Sequence, residues 1–226
     1  MVMRRFLLLA VIALLSTTML SAQSFKENMR LAKRGDAKAQ YEVGCSYYYG
    51  DDVKQNYKKA LTWWGKAAEQ GSVDAQYILG LYYRSVEQNI DESIRWYLLA
   101  AEQGNVKAQN NLGTYYYFGE GVAQNYDEAV VWFTKAAEQD FVVAQYNMGQ
   151  CYYFGEGVAQ DYIKAMEWWR LAAAQGDLDA QYNLGVCYER GEGVEVDYEE
   201  AVKWYRIAAK AGHEDAFKAL DALSEL

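Results

Sequence analysis

The sequence predicts an all-α protein, an α/α superhelical solenoid of about five repeats with capping helices. Three observations carry this. A block of about 36 residues recurs five times. Each block holds two stretches with apolar residues at helical spacing, and none alternates apolar with polar residues as a half-buried strand would. The residues between the stretches are those that start and stop helices. Such an array is expected to coil right-handedly, with neighbouring helices close to antiparallel.

The first twenty-odd residues stand apart. Arg4 and Arg5 form a basic start, Phe6 to Leu15 is an apolar run of ten, and Leu20-Ser21-Ala22 ends on a small residue. This is the pattern of a secretory signal peptide over 1–22. The run falls short of the roughly 20 apolar residues that span a bilayer, and no Cys follows it to carry a lipid. The mature chain is expected to start at Gln23, to need no membrane, and to be periplasmic or secreted. Losing Arg4 and Arg5 makes it two units more negative than the full chain's −9.

Residues 23–226 are expected to form the solenoid, with repeats at about 36–71, 72–104, 105–140, 141–176 and 177–212. Phe25 to Arg34 reads as an opening helix without its partner. The repeat itself is read from fixed points. Ala-Gln recurs at Ala39-Gln40, Ala75-Gln76, Ala108-Gln109, Ala144-Gln145 and Ala180-Gln181, at intervals of 36, 33, 36 and 36 residues. This is the self-similarity of a helical repeat array. Four residues after each Gln stands a Gly: Gly44, Gly80, Gly113, Gly149, Gly185. Three after each Gly stands a Tyr: Tyr47, Tyr83, Tyr116, Tyr152, Tyr188. A mid-helix Gly costs roughly 1 kcal/mol against Ala, so its recurrence at one place implies a close approach between packed helices.

The second helix of each repeat shows Ala165, Trp168, Trp169, Ala172 and Ala173 at i, i+3, i+4, i+7 and i+8, one apolar face. Its start is marked by Asn56, Asn89, Asn125, Asp161 or Asp197, which cap free N–H groups. Asn125 with Glu128 and Asp197 with Glu200 resemble capping boxes. Its end is marked by Gly71, Gly104, Gly176 or Gly212, suited to a left-handed C-cap. The third repeat has Asp140 there, with Phe141 at the next cap, so this junction is expected to be weaker. The second repeat is three residues shorter and lacks the Gly-x-Gly loop, leaving Arg84 to Asn89 as its link. Residues 213–226 read as a closing helix that shields the last core face.

Composition excludes several functions. The 226 residues include 22 Lys plus Arg against 31 Asp plus Glu, one His, three Cys and no Pro. An acidic balance argues against nucleic acid, whose affinity rests on Lys and Arg. One His and three Cys are too few soft ligands for a multi-ligand zinc site. Gly119-Glu120-Gly121, Gly155-Glu156-Gly157 and Gly191-Glu192-Gly193 follow helices and lack the Lys and Ser/Thr of a phosphate loop. They read as tight turns with solvated glutamates. The seven Trp read as core residues of second helices, and His213 as the start of the closing helix. No catalytic residues, metal or cofactor are expected.

Leu184-Gly185-x-x-Tyr188, Gly191-Glu192-Gly193-Val194, Asp197-Tyr198, Ala201, Trp204-Tyr205 and Ala208-Ala209 resemble the Sel-1-like repeat, over residues 36 to 212. That family is related to the tetratricopeptide repeat, and the resemblance implies an α/α superhelix. Some exported relatives staple each repeat with its own Cys pair; Cys45, Cys151 and Cys187 form no such pair. Equivalent helices one repeat apart lie about 8–10 Å from each other, beyond the roughly 7 Å between Cα atoms of a disulfide. Free, buried thiols are therefore expected.

The resemblance further implies a scaffold that binds a protein or peptide through a concave face lined by first helices. In tetratricopeptide arrays the contacts lie two, five, nine, twelve and thirteen places along the unit. With the repeat Gly at place eight, the partner-binding candidates in the first two repeats are Lys38, Tyr48, Tyr49 and Arg84. In the third and fourth they are Lys107, Tyr117, Phe118, Gln150, Tyr153 and Phe154, and in the fifth Glu189 and Arg190. Tyr48, Tyr117 and Tyr153 stand out because Arg84 and Glu189 hold the same place elsewhere, as at an exposed site. Tyr there supplies stiff contact area with a polar tip, although packing between repeats explains it equally well. Tyr41, Tyr77, Tyr146 and Tyr182 read as partly structural. A cell-wall polymer such as peptidoglycan is the alternative ligand. Relatives linked to β-lactam or cell-wall chemistry suggest an enzyme, but Ser-x-x-Lys and Lys-Thr-Gly are absent.

Overall fold

In the computed structural model, residues 24–224 are described; the expected signal peptide over 1–22 lies outside them. The described residues form twelve helices and no strand. They are α1 (24–33), α2 (Ala37–Tyr49), α3 (Tyr57–Glu69), α4 (Val73–Ser85), α5 (Ile90–Glu102) and α6 (Val106–Phe118). Then follow α7 (Tyr126–Ala137), α8 (Val142–Phe154), α9 (Tyr162–Ala174), α10 (Leu178–Arg190), α11 (Tyr198–Lys210) and α12 (Glu214–Ser224). The chain divides into two compact units, up to Gln103 and from Gly104. The first holds the opening helix and two helix pairs, the second three pairs and the closing helix.

Each pair is built in one way. The N-cap side chains Asn56, Asn89, Asn125, Asp161 and Asp197 accept the N–H of the third helical residue, as expected. Their own N–H groups donate to the carbonyls of Tyr47, Tyr83, Tyr116, Tyr152 and Tyr188 at 2.8–2.9 Å. That bond uses the donor a capping box would have needed, so the boxes are not closed; Glu200 pairs instead with Lys203. First helices end on left-handed Gly50, Gly119, Gly155 and Gly191. In the shortened second repeat Val86 ends α4 without that turn.

The mid-helix glycines make room for rings. A Cβ on Gly149 would lie 2.3 Å from the Trp169 indole, and one on Gly113 would lie 2.5 Å from the Phe133 ring. Gly44, Gly80 and Gly185 face Trp64, Tyr97 and Tyr205 in the same way. The close approach is therefore ring on backbone. It buries the second aromatic of each pair, and each such ring contributes roughly 1.5–3 kcal/mol of transfer free energy. Trp132 is also buried. Trp63, Trp96, Trp168 and Trp204 are half-buried, each packed against the core cluster of the preceding helix layer.

Bonded glutamines recur within each unit. Gln40, Gln76, Gln145 and Gln181 are buried and donate to the carbonyls of Ala32, Ala68, Ala137 and Ala173. The side-chain oxygens of Gln40, Gln76, Gln109 and Gln145 accept from Gln70, Gln103, Gln139 and Gln175 at 2.6–2.9 Å. Buried amides need such partners, since an unmet one costs about 1–3 kcal/mol. Gln181 Oε1 has none, because Ala211 occupies the donor's place.

The junctions follow the same logic. Asp140 takes the left-handed conformation, φ 60°, that its counterparts assign to Gly. Phe141 caps α8 without a side-chain hydrogen bond. At the end, His213 Nδ1 accepts from Ala216 N–H at 3.2 Å, so the histidine caps α12. Ala216, Leu220 and Leu223 then cover the apolar face around Tyr205. No helix among the described residues is long and apolar enough to cross a membrane.

Candidate interaction surface

The candidate residues sit at the C-terminal ends of first helices, where α2, α6 and α8 finish in two consecutive aromatics. In each pair the first ring lies against neighbouring rings; Tyr117 and Tyr153 are half-buried by this, whereas Tyr48 stays exposed at 37%, as expected. Tyr117 lies against Phe118, Tyr126 and Phe133, and Tyr153 against Phe154, Tyr162 and Trp169, at centroid distances of 4.9–6.2 Å. Tyr48 makes the same nest with Tyr49, Tyr57 and Trp64. The second ring turns outward: Tyr49 is 66% exposed, Phe118 69% and Phe154 57%.

The loops of the second unit explain why the inner tyrosines are held. Gly157 has φ 72°, and a Cβ there would lie 2.2 Å from the Tyr126 carbonyl oxygen. The Gly-Glu-Gly loop thus presses onto the start of the preceding second helix. This brings Glu156 to the Tyr117 hydroxyl, which donates to it, and Glu192 to the Tyr153 hydroxyl at 2.8 Å. Glu156 and Glu192 are therefore inter-repeat acceptors, where the sequence suggested only solvated turns. Burial first, and the carboxylate acceptor second, push the Tyr153 phenol up to about 12, and both raise Tyr117 further. The exposure expected of Tyr117 and Tyr153 is thus partial; both are half-buried. Gln124 and Gln160 satisfy the carbonyls of the same tyrosines at 2.8–2.9 Å.

The remaining candidates divide. Gln150 Nε2 donates to the Tyr146 hydroxyl and, with Tyr117, Phe118, Thr114 and Asn147, lines a cavity of about 240 Å³. Glu189 accepts from the buried Tyr205 hydroxyl, so it is tied to its own repeat. Arg190 is exposed; burial works against its charged form, but Tyr153 first, then Glu192 and Glu189, raise its pKa. Lys107 is exposed and Arg84 half-buried. In the first unit Lys38 lies in a shallow hollow with Tyr41, Glu42 and Asp74. Tyr48 and Tyr49 line a different cavity, of about 350 Å³.

The three thiols are free; Cys151 and Cys187 are buried, whereas Cys45 is half-buried at a cavity wall, more open than expected. Burial pushes Cys151 and Cys187 up to about 12, with the Glu156 and Glu192 charges adding. These are packing thiols, not nucleophiles. Among the described residues no group of three or more His, Cys, Asp or Glu is arranged to hold a metal.

Sequence reasoning missed the bonded glutamines. Their signal is the Gln that stands at Gln70, Gln103, Gln139 and Gln175, just before the turn that ends the second helix in the first four repeats. It also missed Asn147, whose amide donates to Asn110 at 3.0 Å in the wall of the smaller cavity.

A Sel1-repeat family model matches residues 37–72, 73–105, 106–141, 142–177 and 178–213, each offset about one residue from the repeat limits read in the sequence. A Sel1 repeat protein from Oxalobacter formigenes is 34% identical, with a TM-score of 0.84 over 96% of this chain and 90% of that one. The protective antigen c5321 of uropathogenic Escherichia coli, which displays the same fold, is 39% identical with a TM-score of 0.83. That match covers 87% of this chain and 43% of the antigen, so this chain spans less than half of it. A sel1-like repeat-containing protein, L18, of Acanthamoeba polyphaga mimivirus is 47% identical over 47 residues, 20% of this chain and 8% of the viral protein. With five matched repeats over most of its length and the α/α solenoid fold of its relatives, the chain belongs to the Sel1-repeat family.

Proposed function

We propose that the chain is an exported scaffold that binds a protein or peptide partner through the ends of its first helices, without catalysis. The observation that carries this reading is the outward ring of each aromatic pair. Phe118 and Phe154 stand more than half exposed beside inner rings that are fastened in place. A large apolar ring held rigidly at the surface loses little entropy on binding, which is how interface anchors work. Stacking a costly exposed aromatic at the same place in successive repeats makes physical sense when a partner covers it. Export rests on the basic start, the apolar run and Ala22 in the sequence.

Two measurements test the reading. Immobilised mature chain is offered envelope proteins and, separately, purified wall polymer. Retention of proteins that is lost in the variant Phe118→Ala with Phe154→Ala supports the scaffold. Retention of the polymer alone overturns it. Mass analysis of exported protein should give Gln23 as first residue, and an intact Met1 would remove the export claim.

A further inference from the structure

The second repeat's missing loop has a local consequence in the first unit. In the second unit, a Gly-Glu-Gly loop sets a glutamate over each inner tyrosine. The second repeat has Arg84 to Asn89 in place of that loop, and its one glutamate, Glu87, is taken by the Tyr82 hydroxyl of the same repeat. Under Tyr48 the cavity is about 350 Å³, against about 240 Å³ beside Tyr117. That volume is within the range of small-ligand sites. Tyr41, Tyr48, Tyr49, Trp64 and Tyr82 supply aromatic walls, and Ile78 and Leu81 supply apolar ones.

One wall is the Trp64 ring, which is 3% exposed. Its Nε1–H is packed against α2 at Gly44 and lies beside the Cys45 thiol, so the indole offers the cavity apolar ring surface.

The edge of this cavity is acidic. Glu87 accepts from the Tyr82 hydroxyl at 2.6 Å. Glu42 and Asp74 are near enough for their charges to act on the Cys45 thiol in the cavity wall. No Lys or Arg lines the cavity, and Lys38, in the adjoining hollow, is one cation against three carboxylates.

We infer that the hollow among α2, α3 and α4 is a docking pocket for a peptide segment that carries an aromatic side chain flanked by Lys or Arg. This deepens the scaffold reading and rests on it. The aromatic ring fills the cavity against Tyr48 and Trp64. The flanking cations meet Glu42, Asp74 and Glu87. The ring supplies most of the binding energy, and the charges set the choice of partner and the rate of encounter.

The probe is acetyl-Lys-Tyr-Lys-amide, titrated into isotope-labelled whole chain while the Trp64 indole N–H resonance is followed. The expected result is a saturable movement of that resonance. Replacing Tyr by Ala, or both Lys by Glu, should weaken binding at least about tenfold. Ser85→Trp, which plugs the exposed mouth, should weaken it as much at an unchanged melting temperature. Equal binding of the Tyr and Ala peptides, equal binding of the Glu-flanked peptide, or a silent Trp64 resonance would overturn the pocket. Capture of envelope proteins, run in parallel, separates the two readings. Capture without tripeptide binding removes the pocket and leaves the scaffold.

Discussion

The hydroxyl of Tyr153 donates to the carboxylate of Glu192, thirty-nine residues further along, across the junction between two repeats. One side chain thereby joins the end of α8 to the loop that follows α10. The bond turns a candidate contact residue into a fastening, and it leaves the neighbouring Phe154 as the ring that faces outward.

Removing the fastening should be measurable. Tyr153→Phe keeps the ring and deletes the donor, with an expected loss of about 1 kcal/mol, below the fully buried value because the pair is partly solvated. The phenol's pKa is raised in the folded state, from 10.0 to about 12. Its contribution is therefore complete below about pH 10 and is lost as pH climbs through the folded value. Urea unfolding between pH 7 and pH 12 should show the wild type and Tyr153→Phe converging only at the alkaline end.

Asp140→Gly should stabilise the protein by a few tenths to about 1 kcal/mol. Asp140 has φ 60° where the equivalent Gly71, Gly104 and Gly176 have φ of 88–92°, and a Cβ is penalised in that region. A melting temperature that stays level or falls would show that the aspartate is held by something other than the turn.

Ala211→Gln should also stabilise, by roughly 0.5–1.5 kcal/mol. It restores the donor that Gln70, Gln103, Gln139 and Gln175 provide to the preceding repeat glutamine, and it satisfies Gln181 Oε1. The double change Ala211→Gln with Gln181→Ala should return to or below the stability of Gln181→Ala alone, since the gain requires both partners.

The thiols should differ in access. Denatured, unreduced protein should give three reactive thiols. In native protein Cys45 should alkylate first, because Cys151 and Cys187 are buried and held protonated up to about pH 12. Finding one thiol in the denatured protein would mean a disulfide that the described arrangement does not contain.

Much of this was legible because it is periodic. Ala-Gln, the mid-helix Gly and the paired aromatics each recur at one place, so the helices, their caps and the left-handed Asp140 could be read from spacing. What escaped depends on neighbours in space. The roles of Glu156 and Glu192 follow from Gly157 and Gly193, which let the loop sit against the preceding repeat, a contact 39 residues away in sequence. Trp63 and Trp168 pack on the preceding layer, and helical spacing alone cannot distinguish two flanking layers. The first unit's cavity arises from a deletion whose effect appears only when the loop's work elsewhere is known.

In the proposed scaffold the inner rings fasten the repeats and the outer rings meet the partner. Two double variants separate these roles when melting temperature and partner affinity are measured side by side. Tyr117→Ala with Tyr153→Ala should lower the melting temperature by several degrees, consistent with a loss of a few kcal/mol in a domain of this size. Phe118→Ala with Phe154→Ala should leave the melting temperature in place and weaken partner binding at least about tenfold, the size expected for loss of exposed aromatic anchors. Unchanged binding in the Phe variant, or a melting temperature that falls with it, would contradict the assignment.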